Sequence, residues 1–375
     1  MKLLPDEWMI IKRVIIYIVI ACSFTASGNE LPLKRENILR VEHPSAIQFT
    51  SALIQSGTSN TLVYESWSGY KMEKAWLRYT PLNFDHGVLD KGLLVNILPE
   101  SPSNIVSSVS LVNFNGEDWL YYLEARSFKS EADVFRAKLR NGVLVEIEPV
   151  SLKDAIAPSS NIKFHRVSRN SVAIVYTAKK CCSLYFALSN DGVKFDTPSA
   201  IDSSGFMPYL SSFSGGDIVY FFQKSFRTSQ TQPSGKPVYI IKTHFRISSN
   251  LGNTWTEAIP INLTDATVHD AKAIIRPDGN IDIYYVYPIQ ENSGLSLWRR
   301  CLNPNGQLGV EELVVEPSFG NIAKPTPHRL NTGKLLITFV EQGKVVLEGD
   351  HNLHAAIISR DASCHIGQGG LIQYP

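Results

Sequence analysis

The pair His269-Asp270 stands where a polar stretch, "LTDATVHD", gives way to the apolar run "AKAII". A carboxylate at the start of a strand can take up or release a proton for a bound substrate when it faces a concave surface. The same carboxylate can instead cap the preceding loop through an Asx turn. We predict Asp270 as a catalytic residue and His269 as a substrate-binding residue beside it.

Two further groups have types and spacings suited to acid–base chemistry. Glu124 and Arg126 are two residues apart, so on a β-strand both side chains point to one face. This spacing suits an acid tuned by a cation, and it equally suits an ordinary ion pair. Tyr287 lies near the end of the aromatic run "IDIYYVYP". We predict Glu124 and Tyr287 as catalytic residues and Arg126 as a substrate-binding residue.

Other charged residues lie at comparable positions, where short apolar runs begin or end. Scaffolds place function on such strand ends and on the loops beside them. A charged strand end can also simply meet water. We predict substrate-binding roles for Arg227, Lys324, Lys163, Glu65 and Glu341.

The composition excludes several classes of function. The 375 residues carry 36 Lys and Arg against 35 Asp and Glu, a net charge of +1, without the basic excess typical of nucleic-acid-binding proteins. The cysteines form no Cys-x-x-Cys or Cys/His pattern, so we predict no metal site, and we expect no cofactor. A Cys301–Cys364 disulfide is one alternative, but the sequence favours buried thiols at Cys181, Cys182, Cys301 and Cys364.

Residues 1–28 have the composition of an export signal. Lys12 and Arg13 precede an apolar core that ends at Ala21 and is too short to span a membrane. The stretch "VIAC" resembles a bacterial lipobox, which predicts lipidation of Cys22 and membrane attachment; the alternative is ordinary cleavage near Ala26. Both predict a secreted or cell-envelope protein, in the periplasm or at the outer membrane.

The elements that must position these residues follow a repeat. Successive turns are separated by 56, 50, 59, 55 and 56 residues and are centred on Asp85, Asn141, Asp191, Asn250, Asn305 and Asp361. Before each turn lie an aromatic-rich strand and another short strand, so each repeat indicates four antiparallel strands. Six such repeats predict an all-β, six-bladed β-propeller. We expect a domain over 37–375, in which "NILRVE" (37–42) closes the ring against the last blade, with blades at 43–98, 103–152, 160–201, 206–263, 267–316 and 320–375.

The turn "SSNLGNTW" at 248–255 resembles the Asp box, Ser-x-Asp-x-Gly-x-Thr-Trp, of sialidases and related propellers, with Asn in place of Asp. "SNDGVKF" at 189–195 is similar to a shorter variant. In such a turn the Asx side chain caps backbone N–H groups, glycine supplies a positive φ, and tryptophan packs between blades. Because the turn joins third and fourth strands, a functional site is expected on the opposite face. The resemblance implies structural roles for Ser248, Asn250, Gly252, Trp255, Ser189, Asp191 and Gly192.

The resemblance to the sialidase-like β-propeller superfamily implies a protein that acts on a glycan or polysaccharide. Sialidases use an arginine triad, a tyrosine nucleophile activated by a glutamate, and an aspartate as acid/base; other glycosidases use two carboxylates. The Phe/Tyr-Arg-Ile-Pro motif expected near the first blade is absent, and "FRIS" at 245–248 lies in a third strand instead. The resemblance as a whole implies a glycoside hydrolase or another polysaccharide-active enzyme, such as a lyase, with its site at the channel mouth opposite the Asp boxes. The alternative is a non-catalytic glycan- or protein-binding propeller of the cell envelope.

Overall fold

In the computed structural model, the chain folds almost entirely into β-strands. The structure describes residues 32–34, 37–42, 47–57, 59–67, 74–85, 88–93, 95–97, 105–128, 130–154, 156–157, 160–177, 182–232, 234–263, 266–290, 293–343, 351–358 and 364. None of these residues lies in an α-helix, which confirms the all-β prediction. Within this part of the chain there is also no helix long and apolar enough to cross a membrane. Cys22 and the predicted export signal lie outside the described residues.

Twenty-five strands make up the described fold. The first ten are β1 (Ile38–Glu42), β2 (Ile47–Ser56), β3 (Ser59–Trp67), β4 (Ala75–Asp85), β5 (Val88–Lys91), β6 (Val95–Asn96), β7 (Ile105–Phe114), β8 (Glu117–Ala125), β9 (Ala132–Arg140) and β10 (Val143–Val150). The next eight are β11 (Lys163–Ser168), β12 (Ser171–Thr177), β13 (Leu184–Ser189), β14 (Ser199–Asp202), β15 (Phe206–Ser212), β16 (Ile218–Thr231), β17 (Pro237–Ser248) and β18 (Ile259–Pro260). The last seven are β19 (His269–Ile275), β20 (Ile281–Pro288), β21 (Leu295–Leu302), β22 (Glu312–Val315), β23 (Asn321–Arg329), β24 (Leu335–Gln342) and β25 (His351–Ile358).

Antiparallel pairing organises these strands into repeated sheets. Strands β11 to β14, β15 to β18, and β19 to β22 form three four-stranded sheets, each in chain order, and β23, β24, β25 and β1 form a fourth. A nine-stranded sheet contains β2 to β10, in which a parallel pair, Ala75 and Ile105, joins β4 to β7. Four-stranded antiparallel units therefore recur as predicted, but the hydrogen bonds do not divide the chain into six separate sheets.

The first strand of each repeat lies innermost. Strands β2, β7, β11, β15, β19 and β23 each pack beside the next, and β23 packs beside β2. The second strands, such as β12 and β24, are buried on both faces because neighbouring sheets cover them. This double burial explains nearly continuous apolar sequences such as "VAIVY" at 172–176, which a strand with one solvated face would not have.

Strand β1 joins the two ends of the described fold. It pairs with β25, with Ile38 opposite Ala356 and Leu39 opposite Ala355. The Arg40 guanidinium donates to Asn352 Oδ1 at 2.6 Å. The expectation that "NILRVE" pairs with the last repeat is thus confirmed, and the last sheet is completed by a strand from the opposite end of the chain.

The cysteines differ from the prediction of buried thiols. Cys301 and Cys364 form a disulfide with their Cα atoms 5.6 Å apart. Cys182 is also disulfide-bonded, and its partner lies outside the described residues. The thiol prediction was therefore wrong at these three positions, because nothing in the spacing of cysteines along a chain reports which of them meet in space.

The turn at 248–255 is held by side-chain-to-backbone hydrogen bonds. Ser248 Oγ accepts from the N–H of Gly252 at 2.8 Å. Asn250 Oδ1 accepts from the N–H of Thr254 at 2.9 Å. These bonds satisfy backbone donors that the end of β17 leaves without strand partners.

The turn at 189–195 uses the same chemistry. Ser189 Oγ accepts from the N–H of Gly192 at 2.9 Å, and Asp191 Oδ1 accepts from the N–H groups of Val193 and Lys194 at 2.8 and 2.7 Å. Both turns join the third strand of a sheet to its fourth. They therefore lie at the same end of their sheets.

The turn glycine is the point where one sheet meets the preceding one. Gly252 has a φ of +85°, and a Cβ there would overlap the ring of Phe186 on β13, against which Trp255 also packs at 5.4 Å between centroids. We expect Gly252→Ala to lower the free energy of unfolding by about 2–3 kcal/mol, through backbone strain and steric overlap. Denaturant unfolding measures this change.

Gly333→Ala is the matched control for this prediction. Gly333 has a φ of +81°, but nothing lies within 4 Å of the added Cβ. Its substitution should cost about 1 kcal/mol, from the backbone alone. Equal losses in the two variants would show that contact with Phe186 contributes nothing to this turn.

Candidate functional site

Chain direction defines two ends of each sheet. At the end called here the upper end, innermost strands begin and second strands finish, whereas the turns at 189–195 and 248–255 lie at the lower end. Between the innermost strands lies a cavity of about 280 Å³ that is lined by β2, β7, β11, β15, β19 and β23. Ligand pockets start at roughly this volume, so the cavity has the size of a small-ligand site.

Five innermost strands carry a β-bulge at the upper end: β2, where the register shifts between residues 48 and 51, and four others that share one backbone feature. Their register shifts lie between residues 107 and 110, 206 and 209, 269 and 272, and 323 and 326. One residue in each of these four bulges has a left-handed backbone, with φ from 50° to 59°: Ser108, Met207, Asp270 and Lys324. Bulges redirect side chains and are frequent beside binding sites. Two predicted site residues, Asp270 and Lys324, therefore occupy equivalent positions on neighbouring strands.

Asp270 and Lys324 form a partly buried ion pair across these two bulges. Lys324 Nζ lies 2.8 Å from Asp270 Oδ1, and the Lys324 backbone N–H donates to Asp270 Oδ2 at 3.2 Å. Burial raises the pKa of Asp270, but the charge of Lys324, the neighbouring His269 and the hydrogen bond outweigh burial and hold this pKa well below its ordinary value. Asp270 is consequently ionised at neutral pH.

Glu65 is a buried carboxylate of the first repeat. It lies on β3, opposite the bulge of β2. At the equivalent positions, opposite the bulges of the other repeats, β8, β16, β20 and β24 carry buried aromatic residues. Its carboxylate is 3% exposed and accepts from Thr50 Oγ1 at 2.8 Å, Trp67 Nε1 at 2.6 Å and the Ser108 N–H at 2.7 Å. Like Asp270, Glu65 therefore binds the bulge residue of the neighbouring innermost strand.

Lys163 and Lys272 line the cavity itself. Burial lowers the pKa of Lys163 to about 8, with the repulsion of Lys324 acting in the same direction and the attraction of Glu65 opposing it. Burial and the repulsion of Lys163 lower the pKa of Lys272 to about 7. The ammonium of Lys272 lies 4.7 Å from the centroid of the Tyr209 ring. Both lysines are thus close enough to influence one another's charge.

The histidines of the site add little positive charge. His165 Nε2 lies 3.0 Å from Ser212 Oγ, and His328 Nε2 lies 3.0 Å from Ser51 Oγ. Burial lowers the pKa of His165 to about 4 and that of His328 to about 3. Burial also lowers the pKa of His269, although the neighbouring Asp270 opposes this shift. Arg329, at the end of β23, also lines the cavity, but its guanidinium donates to the Gly333 and Ile275 carbonyl oxygens. Lys163 and Lys272 are therefore the titratable cations of the cavity wall.

Tyr287 lies away from the cavity, in a cluster between two sheets. Its hydroxyl donates to Glu311 Oε2 at 2.8 Å, and Tyr285 and Asn262 donate to Oε1 of the same carboxylate. Burial and the hydrogen bond to Glu311 raise the pKa of Tyr287. Its ring stacks on Trp298 with centroids 4.7 Å apart. The fold does not bring Tyr287 together with Asp270 at the cavity.

Glu341 fastens a connection between sheets. Its buried carboxylate accepts from Ser318 Oγ at 2.9 Å and from the Phe319 N–H at 3.2 Å, and His354 Nε2 lies 3.5 Å away. These contacts hold the segment that leads from β22 into β23. Glu341 therefore positions an innermost strand but does not line the cavity.

The remaining predicted residues lie near the ends of second strands. Glu124 is half-buried near the end of β8, and Arg126 is exposed just after that strand. Arg227 is exposed on the last part of β16. This part follows Gln223, the last residue of β16 that pairs with β15, and it pairs with β17 alone. None of the three lines the cavity. Among the predicted residues, Lys163 lines the cavity, and Asp270, His269, Lys324 and Glu65 lie beside it at the bulges.

Sequence reasoning did not select Lys272 and Tyr209, which both line the cavity. Lys272 follows Asp270 by two residues, and that spacing on an innermost strand was an available signal. Tyr209 offered none, since one aromatic residue in a strand resembles any other. In the described part of the chain, no group of three or more His, Cys, Asp or Glu residues could hold a metal ion.

Comparisons with known proteins show likeness in structure alone. No protein-family model matches the sequence, and no curated protein matches it. A protein of unknown function from Dyadobacter fermentans superposes with a TM-score of 0.62 at 14% identity, over 86% of this chain and 99% of that one. The Penicillium chrysogenum α-L-arabinanase, solved with arabinobiose, gives 0.59 at 11% identity, over 86% and 98%.

A sialidase is also similar. A Trypanosoma rangeli sialidase mutant with trans-sialidase activity gives a TM-score of 0.52 at 10% identity, over 85% of this chain and 57% of that one. At such identities the likeness concerns architecture, and it agrees with the recurring four-stranded sheets and with the resemblance of the 248–255 turn. The chain has the sialidase-like β-propeller fold.

Proposed function

We propose that this protein binds a glycan at the upper end of the central cavity. The observation that carries the proposal is the gathering of Lys163, Lys272, Lys324, Asp270 and Glu65, from four different strands, around one cavity. Buried charged groups of this kind lower stability and are typical of functional sites. The arabinanase of similar fold was solved with arabinobiose, which supports a saccharide as the ligand.

Binding accounts for the site better than hydrolysis does. A glycosidase acid must keep its proton until the reaction, whereas Asp270 is held ionised by Lys324. The described residues that line the cavity include no Asp or Glu. Hydrolysis is the second candidate because an arabinanase and a sialidase have similar folds. Asp270 would then be the catalytic carboxylate.

We further propose six blades, at the boundaries given above, and export to the cell envelope. The blade count treats the nine-stranded sheet as two blades and is supported by the six innermost strands.

Export is supported by the Cys301–Cys364 disulfide, since disulfides persist in oxidising compartments. The mass of the mature protein distinguishes an acylated Cys22 from cleavage near Ala26.

A glycan array combined with a polysaccharide-cleavage assay tests the function. We expect binding without turnover, and a loss of affinity of roughly tenfold or more in Asp270→Asn, because Lys324 loses the charge that holds it in place. The control Asp278→Asn alters a carboxylate whose side chain is 44% exposed and should bind normally. Turnover that disappears in Asp270→Asn would establish hydrolysis instead. If the protein neither bound nor cleaved any glycan, the proposal would be overturned.

A further inference from the structure

The cavity contains two lysine side chains without a contacting counter-ion. Lys163 is 7% exposed and Lys272 is 8% exposed, and both line the cavity. Within the described part of the chain, neither ammonium makes a hydrogen bond or an ion pair; Lys272 has the Tyr209 ring as its neighbour. Lysine is almost never buried unless it is paired. Two such residues in one cavity therefore point to a partner that the fold does not supply.

The nearby carboxylates are already engaged. Asp270 holds both the ammonium and the backbone N–H of Lys324, and Glu65 accepts three hydrogen bonds. The cavity wall itself has cationic side chains and, among the described residues, no carboxylate. An external anion would complete this arrangement, because it would offset both the burial and the mutual repulsion of the two ammonium groups.

We infer that the cavity binds the anionic substituent of a sugar, a carboxylate or a sulfate ester, on the ammonium groups of Lys163 and Lys272. The inference rests on the proposed glycan function and names its substrate class, an acidic saccharide. A volume of about 280 Å³ suits one sugar residue rather than a long chain. Ser51, Ser110 and Thr326 line the same cavity and can bond to sugar hydroxyl groups.

Binding of the anion should depend on pH. The pKa of Lys163 lies at about 8 and that of Lys272 at about 7, so both ammonium groups lose protons as the pH rises from 6 to 9, and affinity should fall over this range. Of the other charged groups that face them, Asp270 stays ionised and paired with Lys324, Glu65 accepts three hydrogen bonds, and the Arg329 guanidinium binds backbone carbonyl oxygens. Burial lowers the pKa of His165 and His328 so far that both are neutral over this range. It also lowers the pKa of His269, which is neutral at any pH above its ordinary pKa.

Calorimetric titration with D-galacturonate, D-galactose 6-sulfate and D-galactose tests the inference, because these sugars differ at C6 alone. We expect the carboxylate or the sulfate ester to bind roughly 10- to 100-fold more tightly than the neutral sugar, as charge-assisted hydrogen bonds would produce. Whichever anion binds more tightly identifies the source of the charge. Lys163→Met and Lys272→Met should each abolish the preference, and Lys334→Met, at an exposed position, should leave it intact.

The possible failures are distinguishable. Equal binding of all three sugars, unchanged in the lysine variants, would overturn the anionic class while leaving the glycan function in place. If none of the three sugars bound but the protein bound a different, neutral glycan on the array, the anionic class would again be overturned and the glycan function would stand. Binding of inorganic sulfate but of no saccharide would overturn the inference and the proposed function together. Retained folding of Lys272→Met, measured by its unfolding transition, shows that lost binding is not lost structure.

Discussion

Lys272→Met should raise the free energy of unfolding by roughly 3 kcal/mol at pH 6. Burial and the charge of Lys163 lower the pKa of Lys272 from 10.5 to about 7, which corresponds to roughly 4–5 kcal/mol lost on folding the charged form. Loss of the cation–π contact with Tyr209, at 4.7 Å, offsets about 1 kcal/mol of this gain. Methionine has a similar length and fills the same space without a charge.

The gain should shrink as the pH rises, and its sign follows from proton binding. The folded-state pKa of Lys272 is lowered, so between about pH 7 and pH 10 the unfolded chain binds more protons than the folded one. Wild-type stability therefore rises relative to the variant across this window, whereas below pH 7 the difference is constant. Chemical denaturation at pH 6, 8 and 10 measures it.

Lys334→Met serves as the control for this prediction. Lys334 is exposed, so its substitution should change stability by less than about 0.5 kcal/mol at each pH. A Lys272→Met protein no more stable than wild type at pH 6 would contradict the description of Lys272 as a buried cation. The anion inference would lose its physical basis with it.

Asp282→Ala should lower the free energy of unfolding by about 5 kcal/mol. Asp282 is 1% exposed and accepts from Arg276 Nη1 at 3.0 Å and from Arg299 Nη2 at 2.8 Å. Both arginines are themselves buried. Removing one partner of a buried pair costs about 3–5 kcal/mol, and here one carboxylate serves two guanidinium groups. The expected loss is therefore close to the largest value of this range.

Asp278→Ala tests whether burial, rather than the loss of an arginine partner, causes this effect. Asp278 pairs with the same Arg276 at 3.1 Å, but its side chain is 44% exposed. Its loss should cost less than about 1 kcal/mol. Denaturant unfolding at neutral pH compares the variants, and a similar small cost in both would show that the two guanidinium groups find other partners.

The two predictions concern residues of one sheet whose replacement should change the free energy of unfolding in opposite directions. Strand β19 carries Asp270 and Lys272 at its upper end, and Asp282 on the adjacent β20 lies opposite Ile274 of β19. By these predictions the Asp282 cluster stabilises the sheet, whereas Lys272 destabilises it. A residue whose replacement stabilises a protein is commonly one kept for function, which is why the lysines carry the proposal.

Several features could be read from the sequence because their signals are local. The repeating strands follow from apolar runs and turn residues at regular spacing. The turn chemistry of Ser248 and Asn250 follows from side chains that bind backbone groups four residues further along the chain. The pairing of "NILRVE" with the last sheet was expected from its place ahead of the first repeat. Lys163 and Asp270 were found because innermost strands begin beside them.

The tertiary structure alone decided which side chains share the cavity. Asp270 meets Lys324 because two bulges on neighbouring strands bring residues 54 positions apart into contact, and neither bulge has a residue signature. Tyr287 ends a strand as predicted, yet it packs against Glu311 between sheets. Strand periodicity assigns a side chain to one face of its own strand, but bulges and neighbouring sheets determine what that face meets. For this reason the sequence by itself determined the repeated sheets, while the packing of the sheets determined the lysine cavity.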